Sequence, residues 1–253
     1  MATKLRTARD WAPIVSAWHL FRIRKLLHQR WSGHCAELML YIKPLQSNVI
    51  VRTGTADIMV LRDTFQGLYH LPPPEAGVPK IILDLGSNIG LTVAHYAALY
   101  KDARILGVEL DPETAAVASR NVARWRDRCE IISGAVAPQG GGRVAFRRLR
   151  GEEWGAKILQ DASEEGAIEV PAFSVSELIT RIGQPLDFMK VDIEGTEGDL
   201  FRSGQPWAQK VKCLHVEVHA PLTIEEISDS LCTLGFRTRP CSRHPSAVVA
   251  WRG

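Results

Sequence analysis

The sequence predicts an α/β protein built on a mainly parallel, doubly wound sheet. Three observations predict it. Strand-like and helix-like segments alternate from Lys80 to the C-terminus. Ile81-Ile82-Leu83-Asp84-Leu85 is a short, nearly continuous apolar run, as a strand buried on both faces requires. The turn from Gly86 to Gly90 follows that run directly and opens a helix, the place where open α/β sheets bind ligands.

The elements follow in order. Residues 10–31 read as one helix, with Asp10 as N-cap and Pro13 in the first turn. Ile14, Trp18, Phe21 and Leu26 share a face, with Arg22, Lys25 and Arg30 polar. An accessory helix packed over a domain is expected, with peripheral membrane contact as the alternative. Glu37–Lys43 and Asn48–Arg52 read as a hairpin, and Thr55–Tyr69 as a helix. Pro72-Pro73-Pro74, with Gly77 and Pro79, is the clearest boundary, dividing an accessory unit (1–75) from the main domain (76–253).

Beyond it come a helix over Asn88–Tyr100, a strand at Arg104–Glu109, a helix opened by Asp111-Pro112, and a strand at Cys129–Val136. Arg143–Leu149 reads as an added β element. Ser174–Glu177 and Thr223–Glu226 are capping boxes, each starting a helix. Leu186–Asp192 and Cys213–His219 are further buried strands. Arg237–Cys241 and Ala247–Trp251 form a closing antiparallel hairpin.

Composition narrows the function classes. The 253 residues suffice for one substantial core, and 45% apolar with 23% charged residues is ordinary for a globular chain. No apolar run approaches the ~18 residues of a membrane span, and no secretory signal is visible. Five scattered cysteines without a Cys-x-x-Cys pair suit free thiols in a reducing cytoplasm, not a zinc or disulfide framework. Seven Lys or Arg residues against Asp10 alone fall between Met1 and His34. The rest is slightly acidic, which is unlike a nucleic-acid-binding core.

The turn Asp84-Leu85-Gly86-Ser87-Asn88-Ile89-Gly90 carries the expected cofactor site. Gly86 allows the tight turn and close approach, and Gly90 the close packing of helix on strand. Glu109, nineteen residues beyond Gly90 at the end of the second strand of the alternating region, can accept both hydroxyls of a ribose. Leu110 and Ala135 are assigned to the same site. A pyrophosphate wants a second glycine where Asn88 stands, and the charge of Asp84 would repel it. That carboxylate could instead reach, directly or through water, the ammonium of S-adenosylmethionine.

Three segments together, Leu83–Gly90, Val108–Pro112 and Met189-Lys190-Val191-Asp192-Ile193-Glu194-Gly195-Thr196-Glu197, resemble the FkbM-type methyltransferase family. Val51–Asp57 and Val216–His219 are also similar, so the resemblance covers residues 48–220. It implies the class I methyltransferase fold, a Rossmann-like seven-stranded sheet, with S-adenosylmethionine as donor. It also implies methyl transfer to a hydroxyl oxygen of a small molecule: a sugar, polyketide, glycolipid or related natural product.

An alcohol acceptor needs a base as its oxygen attacks the methyl carbon. Asp192, at the end of the fourth parallel strand, is the leading candidate, followed by His219 and Glu194. Alternation puts Lys190 with Asp192, and His215 with Glu217 and His219. Glu194 and Glu197 could equally cap the next helix. Magnesium could be held by Asp192, Glu194 and His219, but no compact acidic cluster is visible at the fifth strand, so no metal site is assigned. Asp57, Arg62 and Tyr69 are expected to form a lid on the substrate side.

Two alternatives stay open: a nicotinamide-dependent oxidoreductase, and an S-adenosylmethionine-binding scaffold without catalysis. A nucleic-acid base methyltransferase is disfavoured, because Asp192-Ile193-Glu194-Gly195 replaces the Asn- or Asp-Pro-Pro-aromatic tetrapeptide.

Overall fold

The computed structural model describes residues 11–15, 36–148, 156–159, 161–201 and 205–252. Most of the expected 10–31 helix therefore lies outside the described residues. The chain divides into two compact units, Met1–Leu68 and Tyr69–Gly253.

In the first unit, β1 (Glu37–Ile42) and β2 (Ser47–Arg52) pair as the expected antiparallel hairpin, with Ile42 opposite Ser47. The chain continues into α1 (Asp57–Arg62), shorter than the helix expected over 55–69. Asp63–Gly67 relaxes into a π-helical turn that ends where Leu68 turns left-handed at φ 51°.

The second unit begins its alternation with β3 (Ile81–Leu85), every residue of it buried. Next come α2 (Leu91–Leu99), β4 (Arg104–Glu109), α3 (Pro112–Asn121) and β5 (Cys129–Ser133). Helix α2 starts later than its sequence suggests because Gly90 is left-handed, φ 76°, and must close the turn first. Asp111 caps α3 as expected, accepting from the N–H groups of Glu113 and Thr114.

The strand expected over Cys129–Val136 is broken at Gly134, whose N–H donates to the Glu109 carbonyl. The pieces are β5 and β6 (Ala135–Val136), and β6 belongs to a second sheet. That sheet also holds β7 (Arg143–Arg148), β8 (Ala156–Ile158) and β9 (Ile168–Phe173), in the order β6-β9-β7-β8. Strand β9 is hidden in the sequence by Pro171, a residue that argues against a central strand.

Two further α/β units complete the main sheet. The first is α4 (Val175–Ile182), β10 (Phe188–Val191) and the short α5 (Glu197–Leu200). The second is β11 (Cys213–Glu217), α6 (Ile224–Thr233), β12 (Arg237–Pro240) and β13 (Ala247–Trp251). Helices α4 and α6 both open with reciprocal capping boxes, Ser174 with Glu177 and Thr223 with Glu226. Such caps stabilise each helix by about 1 kcal/mol.

The main sheet has seven strands in the order β12-β13-β11-β10-β3-β4-β5. Strand β13 runs antiparallel between β11 and β12, and the remaining neighbours are parallel. The carboxyl ends of β3, β4, β10 and β11 consequently open on one edge. This is the α/β architecture with a terminal antiparallel hairpin that the sequence predicts. One apolar cluster runs under the sheet from Leu83 and Val108 through Met189, Trp207 and Leu214 to Val248.

Candidate functional site

The ends of β3 and β4 build the first half of the site. Leu85 pairs with Val108, and the N–H groups of Gly86 and Ser87 both donate to the Val108 carbonyl at 3.0 Å. The loop is thereby fixed against β4. Asn88 is left-handed, φ 48°, and its N–H donates to Glu109 Oε2 at 2.8 Å. The Asp111 N–H donates to Glu109 Oε1 at 3.0 Å. Two backbone donors therefore orient the acid. Leu110 packs beside Ala135 and Phe146, which offers an apolar wall one residue from the acid. The hydroxyl of Ser87 is buried without a hydrogen-bond partner.

The second half grows from strand register. Lys190 on β10 lies beside Asp84 on β3 and His215 on β11, and all three are buried. Lys190 Nζ is 3.5 Å from Asp84 Oδ1 and 3.0 Å from Asp192 Oδ2, and it donates to the Gly86 carbonyl at 3.2 Å. Burial works against the ammonium, but Asp192 and Asp84 outweigh it and hold Lys190 above the usual lysine range. The ring of Tyr69 lies 5.9 Å from the ammonium and 6.3 Å from the His215 ring.

Asp84 thus faces inward, hydrogen-bonded by Thr92 and paired with Lys190. The case against a diphosphate accordingly rests on Asn88, not on an Asp84 charge in the loop. Behind this row His70 Nε2 and His95 Nδ1 are 3.0 Å apart, and the Tyr96 hydroxyl donates to the His70 carbonyl. Burial pushes His70 down and His95 down to about 4, so both rings are neutral at ordinary pH.

Beyond Lys190, the loop after β10 and the end of β11 gather four carboxylates around one imidazole. His219 Nδ1 is 2.7 Å from Glu197 Oε1, which also accepts from the N–H groups of Ile193 and Gly195. An oxygen already accepting two donors leaves the ring nitrogen to carry the hydrogen. Nε2 then faces Glu194 Oε2 at 3.5 Å, Asp192 Oδ1 at 3.7 Å and Glu217 Oε1 at 4.0 Å. Glu194 is itself left-handed, φ 56°, and followed by Gly195 at φ 97°. A non-glycine residue held there costs about 1–3 kcal/mol, a strain that concentrates at working sites.

The electrostatics follow from crowding. Burial and the neighbouring Asp192 charge push Glu194 up to about 7 and Glu217 up to about 8. Burial disfavours a charged His219, but the Glu197 hydrogen bond and the Glu194, Glu197 and Asp192 charges prevail and raise it to about 9. The cluster attracts positive charge.

Asp192, Glu194 and His219, expected together from the sequence, do converge. Gly86, Ser87, Asn88 and Gly90 form the adjoining loop with Glu109 bonded to it, whereas Asp84 lies buried in β3, paired with Lys190. Asp57 and Arg62 belong to the first unit: Asp57 is bound by the Arg52 guanidinium at 2.9 Å, and Arg62 pairs with Asp63 at 2.7 Å. Tyr69 falls in the second unit, on Lys190. Glu197, which the sequence offers as a helix cap, holds His219, and Lys190, which alternation places with Asp192, holds that acid. That alternation was the only signal for Lys190.

Comparison with known proteins supplies the rest. The 2-O-methyltransferase NoeI of Sinorhizobium fredii is 24% identical over 183 residues, 66% of this chain and 72% of the relative. The O-methyltransferase imqG of Aspergillus flavus is 38% identical over 64 residues, 24% of this chain and 26% of the relative. The tRNA1(Val) (adenine(37)-N6)-methyltransferase of Porphyromonas gingivalis is 30% identical over 93 residues, 36% of this chain and 34% of the relative. The chain thus spans a quarter to a third of the length of the last two. The model of the methyltransferase FkbM domain matches residues 84–238, from the buried aspartate of β3 to the middle of β12. This chain belongs to the FkbM methyltransferase family.

Proposed function

We propose that the protein is an S-adenosylmethionine-dependent O-methyltransferase acting on a hydroxyl of a small molecule, a sugar, polyketide or related natural product. The observation that carries this reading is the junction of the two half-sites. The loop from Gly86 to Gly90, with Glu109 behind it, abuts Asp192, and Asp192 opens onto Glu194 and His219.

The residues suit the cofactor that the family and fold imply. Glu109 would hold the ribose through its carboxylate, Leu110 and Ala135 would flank the adenine, and the loop backbone would meet the amino-acid portion. When bound, the cofactor supplies an electrophilic methyl group. Lys190 fixes Asp192 from beneath, so that Asp192 can orient the acceptor hydroxyl along the line of attack. The proton that leaves the hydroxyl passes into the carboxylate and imidazole cluster beside it.

Oxygen is favoured over a nucleobase nitrogen because Asp192-Ile193-Glu194-Gly195 stands where a base-gripping tetrapeptide would be needed. The names of two relatives, an O-methyltransferase and a 2-O-methyltransferase, point the same way. Among the described residues no helix is long and apolar enough to cross a membrane. The four described cysteines are all free thiols, in keeping with a reducing cytoplasm.

Transfer of a labelled methyl group from S-adenosylmethionine to a panel of sugar and polyketide hydroxyls tests the proposal. Label appearing as a methyl ether supports it. Label found only on nitrogen or on RNA, or calorimetric binding of NAD in place of S-adenosylmethionine, would sink it.

A further inference from the structure

The geometry points to a divalent-cation site formed by Asp192, Glu194 and His219, with His219 Nε2 and one oxygen from each acid as ligands. The three ligand atoms lie within 4.8 Å of one another. The imidazole-to-carboxylate separations, 3.5 and 3.7 Å, are too long for hydrogen bonds. They suit ligands of a shared ion. Atoms each about 2.2 Å from one cation are about 3.1 Å apart at right angles and about 3.6 Å apart at the tetrahedral angle.

Two independent features support a cation there. The first is the setting of the imidazole. A metal-binding histidine usually donates its other ring N–H to a carboxylate, which fixes the ring and raises its basicity. Glu197, wholly buried, does this to Nδ1 at 2.7 Å and thereby turns Nε2 toward the two acids. The second is charge. The other oxygen of Glu197 is buried without any hydrogen-bond donor. Glu217 brings a further carboxylate to 4.0 Å from Nε2, and Lys190 bonds to one of the four acids only, Asp192. One nitrogen and two oxygen ligands suit an ion that accepts mixed donors, such as manganese or zinc, better than magnesium, which prefers oxygen throughout.

Glu194 and His219 remain partly exposed, so coordination positions stay accessible from outside. A hydroxyl oxygen taking one of them would be held and acidified, its proton drawn off more easily at neutral pH. That use rests on the O-methylation reading; binding of the ion does not.

The test uses the full chain, treated with chelator and dialysed. Manganese chloride is titrated with the free ion followed by electron paramagnetic resonance, and zinc chloride by calorimetry. One ion per chain is expected. His219→Gln or Glu194→Gln should weaken uptake tenfold or more, and Glu197→Gln by roughly 10–100-fold. Glu225→Gln, on the surface of α6, should leave it unchanged. Circular dichroism checks the fold of each variant, and Glu194, the most exposed ligand, serves if the His219 variant fails to fold. No stoichiometric uptake of either ion, or uptake that survives the Glu194 and His219 substitutions, overturns the site. Full methyl transfer by metal-free protein that takes up no ion would do so too, and would leave the methyltransferase reading standing. Uptake without methylation of any hydroxyl would do the reverse.

Discussion

The main-chain oxygen of Asp192 lies 1.7 Å from the point where a β-carbon on residue 86 would sit, so Gly86 and Asp192 share one volume. The left-handed φ of Gly86, 78°, adds a second demand for glycine. The loop after β3 and the residue that follows the neighbouring strand β10 are in this way one mechanical unit.

Gly86→Ala is therefore expected to force β3 and β10 apart at their ends. Overpacking and a left-handed alanine together should cost at least about 2 kcal/mol of stability and most of the cofactor affinity. Urea unfolding and calorimetry check this. An alanine variant as stable as the parent would show that the two backbones are not in contact.

Glu109→Ala should weaken S-adenosylmethionine binding by about ten- to a hundredfold. It removes the proposed ribose acceptor and strands the N–H groups of Asn88 and Asp111, each such loss being worth about 1–2 kcal/mol. Calorimetry reads the change directly. Unaltered affinity would place the nucleoside elsewhere.

Asp192→Asn keeps the shape of the side chain but removes the charge beside Lys190. Turnover is expected to fall by about 10²–10⁴-fold, while cofactor affinity shifts only a few-fold. Single-turnover methyl transfer separates the two quantities. Wild-type turnover in this variant would remove Asp192 from the reaction.

Stability should depend on the buried His70–His95 pair. The folded-state value of His95 is about 4, against about 6.5 in the unfolded chain. The unfolded state then binds the extra proton between those values, so the His95 contribution is complete above pH 6.5 and is lost as the pH falls toward 4. By pH 5 the loss is roughly 2 kcal/mol from this ring. Urea midpoints between pH 7.5 and 5 should fall less steeply in His95→Gln than in the parent. Parallel slopes would mean that His95 takes up its proton alike in the folded and unfolded states.

The sequence exposes what local chemistry dictates. The apolar run Ile81–Leu85, the capping boxes at Ser174 and Thr223 and the strand Ala247–Trp251 all form as written, because each is decided within a few residues. The small sheet is concealed because Pro171 breaks the strand signal and because β6 pairs with β9 more than thirty residues later. Asp192, Glu194 and His219 are visible from their places at strand ends. Glu197 is not: its partner is twenty-two residues away, and only the fold of the loop after β10 turns it from the helix dipole toward the imidazole. Lys190 pairs with Asp84 through inter-strand register, which one chain read in order does not display.

Strands β10 and β11 are hydrogen-bonded in register, Val191 opposite Val216, and Asp192 and Glu217 extend from that ladder. Adjacent strands keep a spacing of about 4.8 Å whatever the side chains are. The backbone positions of Asp192 and Glu217 are thus set by the strand ladder and not by the side chains around them. Under the methyl-transfer reading proposed above, a change of acceptor would fall to other segments, with the spacing of these two carboxylates left as it is.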